Sequence, residues 1–438
     1  MSLTAQSPLE RTASLPAIQS VNVFGLGYIG LPTAALMASR GLEVCGVDVK
    51  TEIVDTINRG QIHITEPALD MVVSAAVTSG RLKAGLVVEP ADAHMIAVPT
   101  PITDNKTADL TAVLAAADAL APALRRGDLV VLESTSPVGA TEVMIDRMAR
   151  KRPDLRFPKR GGDAGEVFVA YCPERVLPGR VIEELVSNDR AIGGVTPSCT
   201  ARAISLYEQF VEGELVATDT RSAELCKLAE NAFRDVNIAY ANELANVCER
   251  LDMNVWEVIR LANRHPRVNV LRPGPGVGGH CIAVDPWFIA EAAPEDTPLI
   301  RAARWVNDGR PGRIIERIGA AVSAWTAATG REPVVALLGL AFKPNIDDLR
   351  ESPAVEIAHK AGEAGWGEIL LVEPHVDRLP EELDPEKFVL ASLSGAIESA
   401  DILALLVDHT VFAGVQPDAI PGKVVVSAGR DLYERTPA

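Results

Sequence analysis

Apolar residues fall into short continuous runs separated by polar, glycine-bearing turns, and the runs alternate with helical patterns along the chain. Val21-Asn22-Val23-Phe24 leads into Gly25-Leu26-Gly27-Tyr28-Ile29-Gly30 and then into an alanine-rich stretch, residues 31–38, ended by Gly41. That order predicts strand, glycine turn, helix. Further strand-like runs follow at 42–47, ending at Asp48, and at 95–98, 129–132 and 167–170. Strands alternating with helices predict a doubly wound parallel sheet.

From about Thr218 to Ala262 the pattern changes. No Gly or Pro interrupts it, and Leu225, Leu228, Ala229, Ala232, Val236 and Ala239 recur at spacings of three and four. This predicts a long buried helix separating two α/β units. Strand-like runs resume at 334–339, 369–372, 402–407 and 424–427 and predict a second, smaller sheet. The expected fold class is α/β: two Rossmann-like parallel-sheet domains, 21–215 and 316–438, joined by a central helical region, 216–315, behind a flexible N-terminus, 1–20. No solenoid-length repeat and no low-complexity tract interrupts that plan.

Composition narrows the class. A chain of 438 residues is long enough for more than one core, and 47% hydrophobic against 23% charged residues is the balance of a packed globular protein. Acidic residues outnumber basic ones 59 to 42, for a formal net charge of -17. With no basic run to neutralise a track of phosphates, nucleic acid is not an expected partner. The six cysteines form no C-x-x-C pair, so neither a zinc site nor a disulfide framework is expected, and reduced thiols in a cytoplasmic protein are the simplest reading. No apolar stretch reaches the roughly 18 residues of a membrane span, and residues 1–20 lack the apolar core of a signal peptide.

Three motifs carry chemistry. In the first, Gly25 allows the tight turn, Gly27 the close approach of backbone to a pyrophosphate, and Gly30 the packing of helix on strand. Asp48, eighteen residues past Gly30, is placed to accept hydrogen bonds from an adenosine ribose. A carboxylate there repels a 2′-phosphate, so NAD is expected rather than NADP, with Lys50 nearby as the opposing signal. A glycine turn that binds nothing is the alternative; the strand before and helix after argue against it.

The second motif is Gly274-Pro275-Gly276-Val277-Gly278-Gly279-His280-Cys281, followed by Asp285. Four glycines before a cysteine let backbone crowd a ligand and leave the sulfur accessible, whereas Cys45, Cys226 and Cys248 sit in apolar contexts; Cys281 is the candidate nucleophile. The third is Glu224-Leu225-Cys226-Lys227-Leu228-Ala229-Glu230-Asn231. Lys227 and Asn231, four apart, project from one helix face and are either two donors for one oxygen or a solvated polar pair. Loops after the strands, where α/β enzymes place their sites, add Thr100, Thr135 within Glu133-Ser134-Thr135-Ser136-Pro137, and Glu174 and Arg175 after Cys172-Pro173. Each of these loops is also compatible with a plain turn.

Taken in order, G-L-G-Y-I-G-L-P, E-S-T-S-P-V-G, A-E-L-C-K-L-A-E-N-A-F-R-D-V-N-I-A, G-P-G-V-G-G-H-C-I-A-V-D-P and G-L-A-F-K-P-N-I-D-D-L-R-E-S-P resemble the nucleotide-sugar 6-dehydrogenases of the UDP-glucose/GDP-mannose dehydrogenase family, from about Val21 to the end. N-V-W-E-V-I-R-L-A-N-R-H-P-R-V-N-V-L and G-G-H-C-I-A-V-D-P-W-F-I look like its UDP-N-acetyl-D-mannosamine branch. In the UDP-glucose branch the cysteine loop reads G-G-S-C with a lysine before the aspartate; here His280 and Val284 hold those positions.

The resemblance implies an N-terminal NAD domain, a central region that makes a homodimer, and a C-terminal domain that holds the nucleotide of a UDP-sugar. NAD would lie against Gly25, Gly27, Tyr28, Ile29, Gly30, Asp48, Thr100 and Thr135. Carried over motif by motif, Cys281 is the nucleophile, Lys227 and Asn231 stabilise the oxyanion, Asp285 and Thr135 position water and the base, and Glu174 is the acid/base partner in hydrolysis. Arg175, Gly278, Lys343 and Arg350 lie beside the substrate, and Arg267 reaches the partner subunit's substrate. The implied reaction is four-electron oxidation of the C6 hydroxyl of UDP-N-acetyl-D-mannosamine to the uronate, for polysaccharide biosynthesis. Alternatives are the N-acetyl-D-glucosamine epimer as substrate and a two-electron hydroxy-acid dehydrogenase, which needs neither Cys281 nor a second sheet.

Overall fold

The computed structural model describes residues 16–162, 165–177, 179–279, 281–380, 382–415 and 420–429. It divides into two compact units, the first reaching Glu230 and including Trp287–Ala293, the second made of Asn231–Pro286 and the chain from Pro294 on.

The first unit holds β1 (Ser20–Phe24), β2 (Glu43–Val47), β3 (Leu82–Gly85), β4 (Ala93–Ile96), β5 (Leu129–Leu132), β6 (Phe168–Tyr171), β7 (Arg190–Gly194) and β8 (Leu215–Asp219). They form one sheet in the order β3-β2-β1-β4-β5-β6-β7-β8. Val21, Val23, Val44, Met95, Leu129 and Val131 pack on one face, and Phe24, Val47, Ile96, Val130 and Leu132 on the other. Burial on both faces is why these strands read as continuous apolar runs. The helices Gly30–Ser39 and Leu69–Thr78 cover the first face, and Thr111–Leu120 and Ala140–Lys151 the second.

Four expectations need correcting. The sheet is not wholly parallel: β6 and β7 pair antiparallel, through Ala170↔Gly194 and Tyr171↔Gly193. The segment between them holds only the short helix Val181–Ser187, which does not return the chain to the strands' starting edge. The N-terminal segment is built in earlier than position 21. Residues 1–15 lie outside the described residues, but Ile18 is buried, Ser20 begins β1, and Asp92 accepts the N–H groups of Gln19 and Ser20 at 3.0 Å each.

The long helix, Thr220–Arg250, is shorter than its pattern. Asp252 adopts a left-handed conformation (φ 53°), and the Asn254 side chain accepts from Trp256 and Glu257 N–H to start a separate helix, Val255–Ala262. An aspartate tolerant of left-handed backbone followed by an Asn cap ends a helix without Gly or Pro. Its apolar set is buried only in part: Leu228, Ala232 and Ala239 are buried and Leu225 and Ala229 exposed, while Glu224, Lys227, Asp235 and Asn242 are also buried.

The second unit carries β9 (Val335–Leu338), β10 (Ile369–Val372), β11 (Phe388–Leu390), β12 (Ile402–Leu405) and β13 (Val424–Ser427) in the order β11-β10-β9-β12-β13, all parallel. Val335 and Leu337 face the helices Arg310–Thr329 and Pro353–Ala364, and Ala336 and Leu338 the opposite side. Among the described residues no helix is long and apolar enough to cross a membrane.

Candidate active site

In the first unit the strand order reverses between β1 and β4, the position at which open α/β sheets bind ligands. Gly25 follows β1 with φ 84°, and a Cβ there would lie 2.6 Å from the Ala97 carbonyl oxygen. A Cβ on Gly30 would collide with the Gly25 carbonyl, whereas one on Gly27 would meet nothing within 4 Å. The turn is thus closed at its two ends and open in the middle, where a phosphate needs room. The helix that follows has no acidic residue in its first turn and no side-chain cap, which leaves its N–H groups for an anion. Tyr28 and Ile29 complete the turn, Tyr28 being 38% exposed.

At the end of β2, Asp48 accepts the Leu26 N–H on Oδ2 (2.9 Å) and the Lys50 N–H on Oδ1 (3.0 Å). Each oxygen keeps lone-pair capacity for a ribose hydroxyl. His63, which the sequence did not single out, senses both Asp48 and Lys50; partial burial lowers its pKa against the pull of Asp48. After β4 and β5, the Thr100 hydroxyl donates to the Thr135 carbonyl and joins the two loops. These residues fit a dinucleotide: an open turn for the pyrophosphate and a carboxylate for the adenosine ribose.

Beyond β6, Glu174 accepts the Val176 N–H on Oε2 (2.9 Å) and meets Lys227 Nζ at 3.4 Å through Oε1. Arg175 grips Glu230 with two nitrogens, at 3.2 and 2.5 Å. Two carboxylates unassigned in the sequence set this region. Buried Glu224, one turn before Lys227, accepts the N–H groups of Gly139 (2.6 Å) and Thr141 (2.9 Å) and the Thr141 hydroxyl (2.7 Å). It caps the helix Ala140–Lys151 and ties the Thr135 loop to the long helix. Buried Glu66 likewise accepts the N–H groups of Gly179 (2.9 Å) and Val181 (2.7 Å) and anchors the segment after Arg175.

Beneath these loops Glu133 is fully enclosed and accepts the Tyr207 hydroxyl at 2.8 Å. Burial raises its pKa to about 7, with buried Arg190 opposing. Burial also pushes the neighbouring Cys172 thiol up to about 12, so this cysteine is inert.

In the second unit Cys281 is the one exposed cysteine of the six. Its carbonyl accepts the N–H groups of Val284 (3.0 Å) and Asp285 (2.8 Å), folding the loop into the helix Asp285–Ala292. The Asn231 side-chain amide donates to Asp285 Oδ2 at 2.6 Å. One helix thus carries Lys227 and Asn231, with Glu174 3.4 Å from the lysine and Asp285 accepting from the amide. The glycines of the cysteine loop rest on the loop after β9. A Cβ on Gly278 would strike the Glu351 carbonyl and lie 2.6 Å from Pro353, and one on Gly279 would lie 3.1 Å from the Phe342 ring. The loop of Lys343 and Arg350 therefore packs directly against the cysteine loop. Arg350 is paired with Asp348 through two nitrogens (2.8 and 2.6 Å).

A buried polar chain holds the start of the cysteine loop. Asp235 accepts from Arg304 (2.6 Å) and Asn307 (2.8 Å), Asn242 donates to Asn307 (2.9 Å) and accepts the Gly274 N–H (2.8 Å), and Arg310 donates to the Gly274 carbonyl (2.9 Å). Arg267 lies in an exposed turn after the helix Val255–Ala262. His280, the residue that sets this loop apart from the UDP-glucose branch, lies outside the described residues.

A glycine turn open to phosphate, a carboxylate at the end of the second strand and a second parallel sheet beside a loop with an exposed cysteine fit a dinucleotide-dependent dehydrogenase. The NAD binding domain of the UDP-glucose/GDP-mannose dehydrogenase family matches residues 19–211, its central domain 221–309 and its UDP binding domain 336–434. The chain belongs to this family and is an NAD-dependent dehydrogenase.

Among its relatives, the NDP-N-acetyl-D-galactosaminuronic acid dehydrogenase of Ralstonia nicotianae is 56% identical over 408 residues, 93% of this chain and 95% of that protein. The UDP-N-acetyl-D-mannosamine dehydrogenase of Salmonella typhi is 56% identical over 410 residues, 93% of this chain and 97% of that one. Among solved structures, the UDP-D-ManNAc dehydrogenase of Pyrococcus horikoshii aligns with a TM-score of 0.82 at 35% identity, covering 95% of this chain and 97% of that one.

Proposed function

We propose that the protein oxidises the C6 hydroxyl of a UDP-N-acetylhexosamine to the uronate, with UDP-N-acetyl-D-mannosamine preferred. The observation that carries this reading is the 56% identity, over nearly all of both chains, to the Salmonella typhi enzyme. Val284, where the UDP-glucose branch has lysine, supports it. The equally similar Ralstonia relative favours a second reading, in which the galactosamine epimer is the substrate.

NAD, when bound, takes one hydride from C6 in each of two successive oxidations. The remaining work falls to side chains. Lys227 and Asn231 offer donors to the C6 oxygen as charge develops on it, the stage at which preorganised donors count most. The Cys281 thiolate attacks the aldehyde carbon to form a thiohemiacetal, and after the second oxidation it is acylated as a thioester. This capture keeps the aldehyde from escaping. Asp285, through Asn231, and Thr135 orient water and the base; Glu174, with Lys227 beside it at 3.4 Å, accepts a proton from the attacking water and returns one to the departing sulfur. Arg175, Gly278, Lys343, Arg350 and Arg267 serve the nucleotide sugar.

Self-association as a homodimer belongs to the same reading. The outward face of the long helix carries Phe233 (70% exposed), Tyr240 (59%), Val247 and Leu251, an apolar stripe that a second copy would cover. Six cysteines outside any disulfide suit the cytoplasm, where a uronate precursor for polysaccharide would be made.

The test is kcat/KM for the UDP-linked N-acetylmannosamine, N-acetylglucosamine, N-acetylgalactosamine and glucose, with NADH counted per sugar. The mannosamine compound should lead, glucose should be nearly inactive, and two NADH should appear per sugar. Cys281→Ser should bind NAD normally but lose overall turnover by several orders of magnitude, because a hydroxyl is a far poorer nucleophile. One NADH per sugar would support two-electron chemistry instead.

A further inference from the structure

Lys343 sits on a small closed loop after β9. The Phe342 N–H donates to the Asp348 carbonyl at 3.1 Å and shuts the loop at its base, and Asn345 stands at its tip with φ 61°. The tip is fastened from outside. The Asn345 N–H donates to His409 Nδ1 at 3.0 Å, its side-chain amide donates to the Thr410 hydroxyl (2.9 Å), and its Oδ1 accepts the Thr410 N–H (3.0 Å).

His409, past the end of β12, is wholly buried, as is Glu373 at the end of β10. A backbone N–H can only donate, so Nδ1 must be the accepting nitrogen and Nε2 must carry the ring proton. Nε2 lies 3.2 Å from Glu373 Oε2, a charge contact without hydrogen-bond alignment. The same oxygen accepts the N–H groups of Leu340 (2.7 Å) and Ala341 (3.0 Å), the residues that open the Lys343 loop. Burial works against charge on Glu373, yet these donors together hold its carboxyl below the usual range. His375 stacks against the His409 ring at 5.0 Å, and Phe412 meets it edge-on at 5.3 Å.

Glu373 thus holds one end of the loop and His409 the other, and the two side chains touch, 3.2 Å apart. Glu373, His375 and His409 also lie close enough together to suggest a cation site. The protonated Nε2 and the occupied Oε2 argue that this set is built for hydrogen bonds instead.

We propose that His409 is a positioning residue for nucleotide-sugar binding, which acts by fixing the loop that presents Lys343. The inference rests on the reading of Lys343 as a substrate contact. Two substitutions separate the ring's two nitrogens. In His409→Asn the side-chain oxygen replaces Nδ1 and still accepts from Asn345, but the contact with Glu373 is lost. In His409→Gln the terminal amide replaces Nε2 and stays beside Glu373, but the acceptor for Asn345 is lost.

His409→Gln should raise KM for the UDP-sugar about tenfold with kcat and KM for NAD unchanged, and His409→Asn should hold the sugar KM within about twofold of wild type. A role in stability alone would lower the melting temperature in both and leave every KM unchanged, and that result would overturn the proposal. If His409→Gln does not fold, Asn345→Gly tests the clamp from the other side, since glycine keeps the left-handed backbone and removes the Thr410 pair. It should raise the sugar KM severalfold; an unchanged value is likewise fatal. Lys343→Ala run in parallel keeps the two ideas apart: no rise in its sugar KM refutes the substrate role of the lysine, whereas a rise there without one in His409→Gln refutes only the clamp.

Discussion

Glu133 shows how far a single residue's chemistry can depart from its type. Enclosed with only the Tyr207 hydroxyl as a recorded hydrogen-bond donor, it has a pKa moved from 4.5 to about 7, so the folded protein holds its proton more tightly than the unfolded chain does. Its contribution to stability is fully present below about pH 4.5 and is lost as pH rises through about 7, up to about 3 kcal/mol in all. Urea unfolding at pH 5 and pH 8 should show the wild type losing more stability on the alkaline side than Glu133→Gln, and equal slopes would place the titration elsewhere. Such a role is invisible in E-S-T-S-P, where the glutamate looks like one more loop carboxylate. Cys281 stood out in the sequence because of the glycines directly before it, and Asp48 because it ends the strand that follows the glycine turn, 22 residues past its partner Leu26. Glu66, Glu224 and Asn242 were not, because the N–H groups that they accept lie 113, 85 and 32 residues away.

Among the elements, the strands buried on both faces announced themselves, and those that were missed share a physical reason. β3 and β8 lie at the sheet edges, with only Leu82 of β3 and no residue of β8 buried, and β11 has three residues. β7 ends in Gly193 and Gly194, where a Cβ would strike Asp219 and Thr200, so its sequence cannot be apolar throughout. The long helix misled in the opposite direction, since its buried face mixes Glu224, Lys227, Asp235 and Asn242 with Leu228 and alanines, while Leu225, Phe233, Tyr240 and Val247 are exposed.

Glu224 on that buried face makes an element-scale prediction. Burial raises its pKa while the Gly139 and Thr141 donors oppose the shift, so the carboxylate is held by the helix that it caps. Glu224→Gln places an amide against N–H groups and should cost about 1–3 kcal/mol of stability. It should also lower kcat, because Thr135 and Lys227 flank the junction. Calorimetry with steady-state kinetics checks both, and a full loss of stability with unchanged kcat would make the clamp purely architectural.

At the scale of the whole molecule, the exposed Phe233 and Tyr240 stripe is the surface that the proposed homodimer would cover. Phe233→Glu with Tyr240→Glu should shift the sedimentation coefficient from dimer to monomer, and a dimer that survives both charges would move the interface elsewhere. The distribution of thiols has a consequence of a different kind. Burial raises the pKa of Cys45, Cys172, Cys199, Cys226 and Cys248, which leaves Cys281 as the one exposed cysteine of the six. A haloacetamide at neutral pH should therefore add once per chain, measurable by intact mass, and the nucleotide sugar should shield the adduct site; two or more additions would contradict the burial pattern. The molecule can then be titrated like a reagent, each equivalent of electrophile consumed reporting one competent centre, so that the fraction of properly folded protein in any preparation is obtained without a turnover assay.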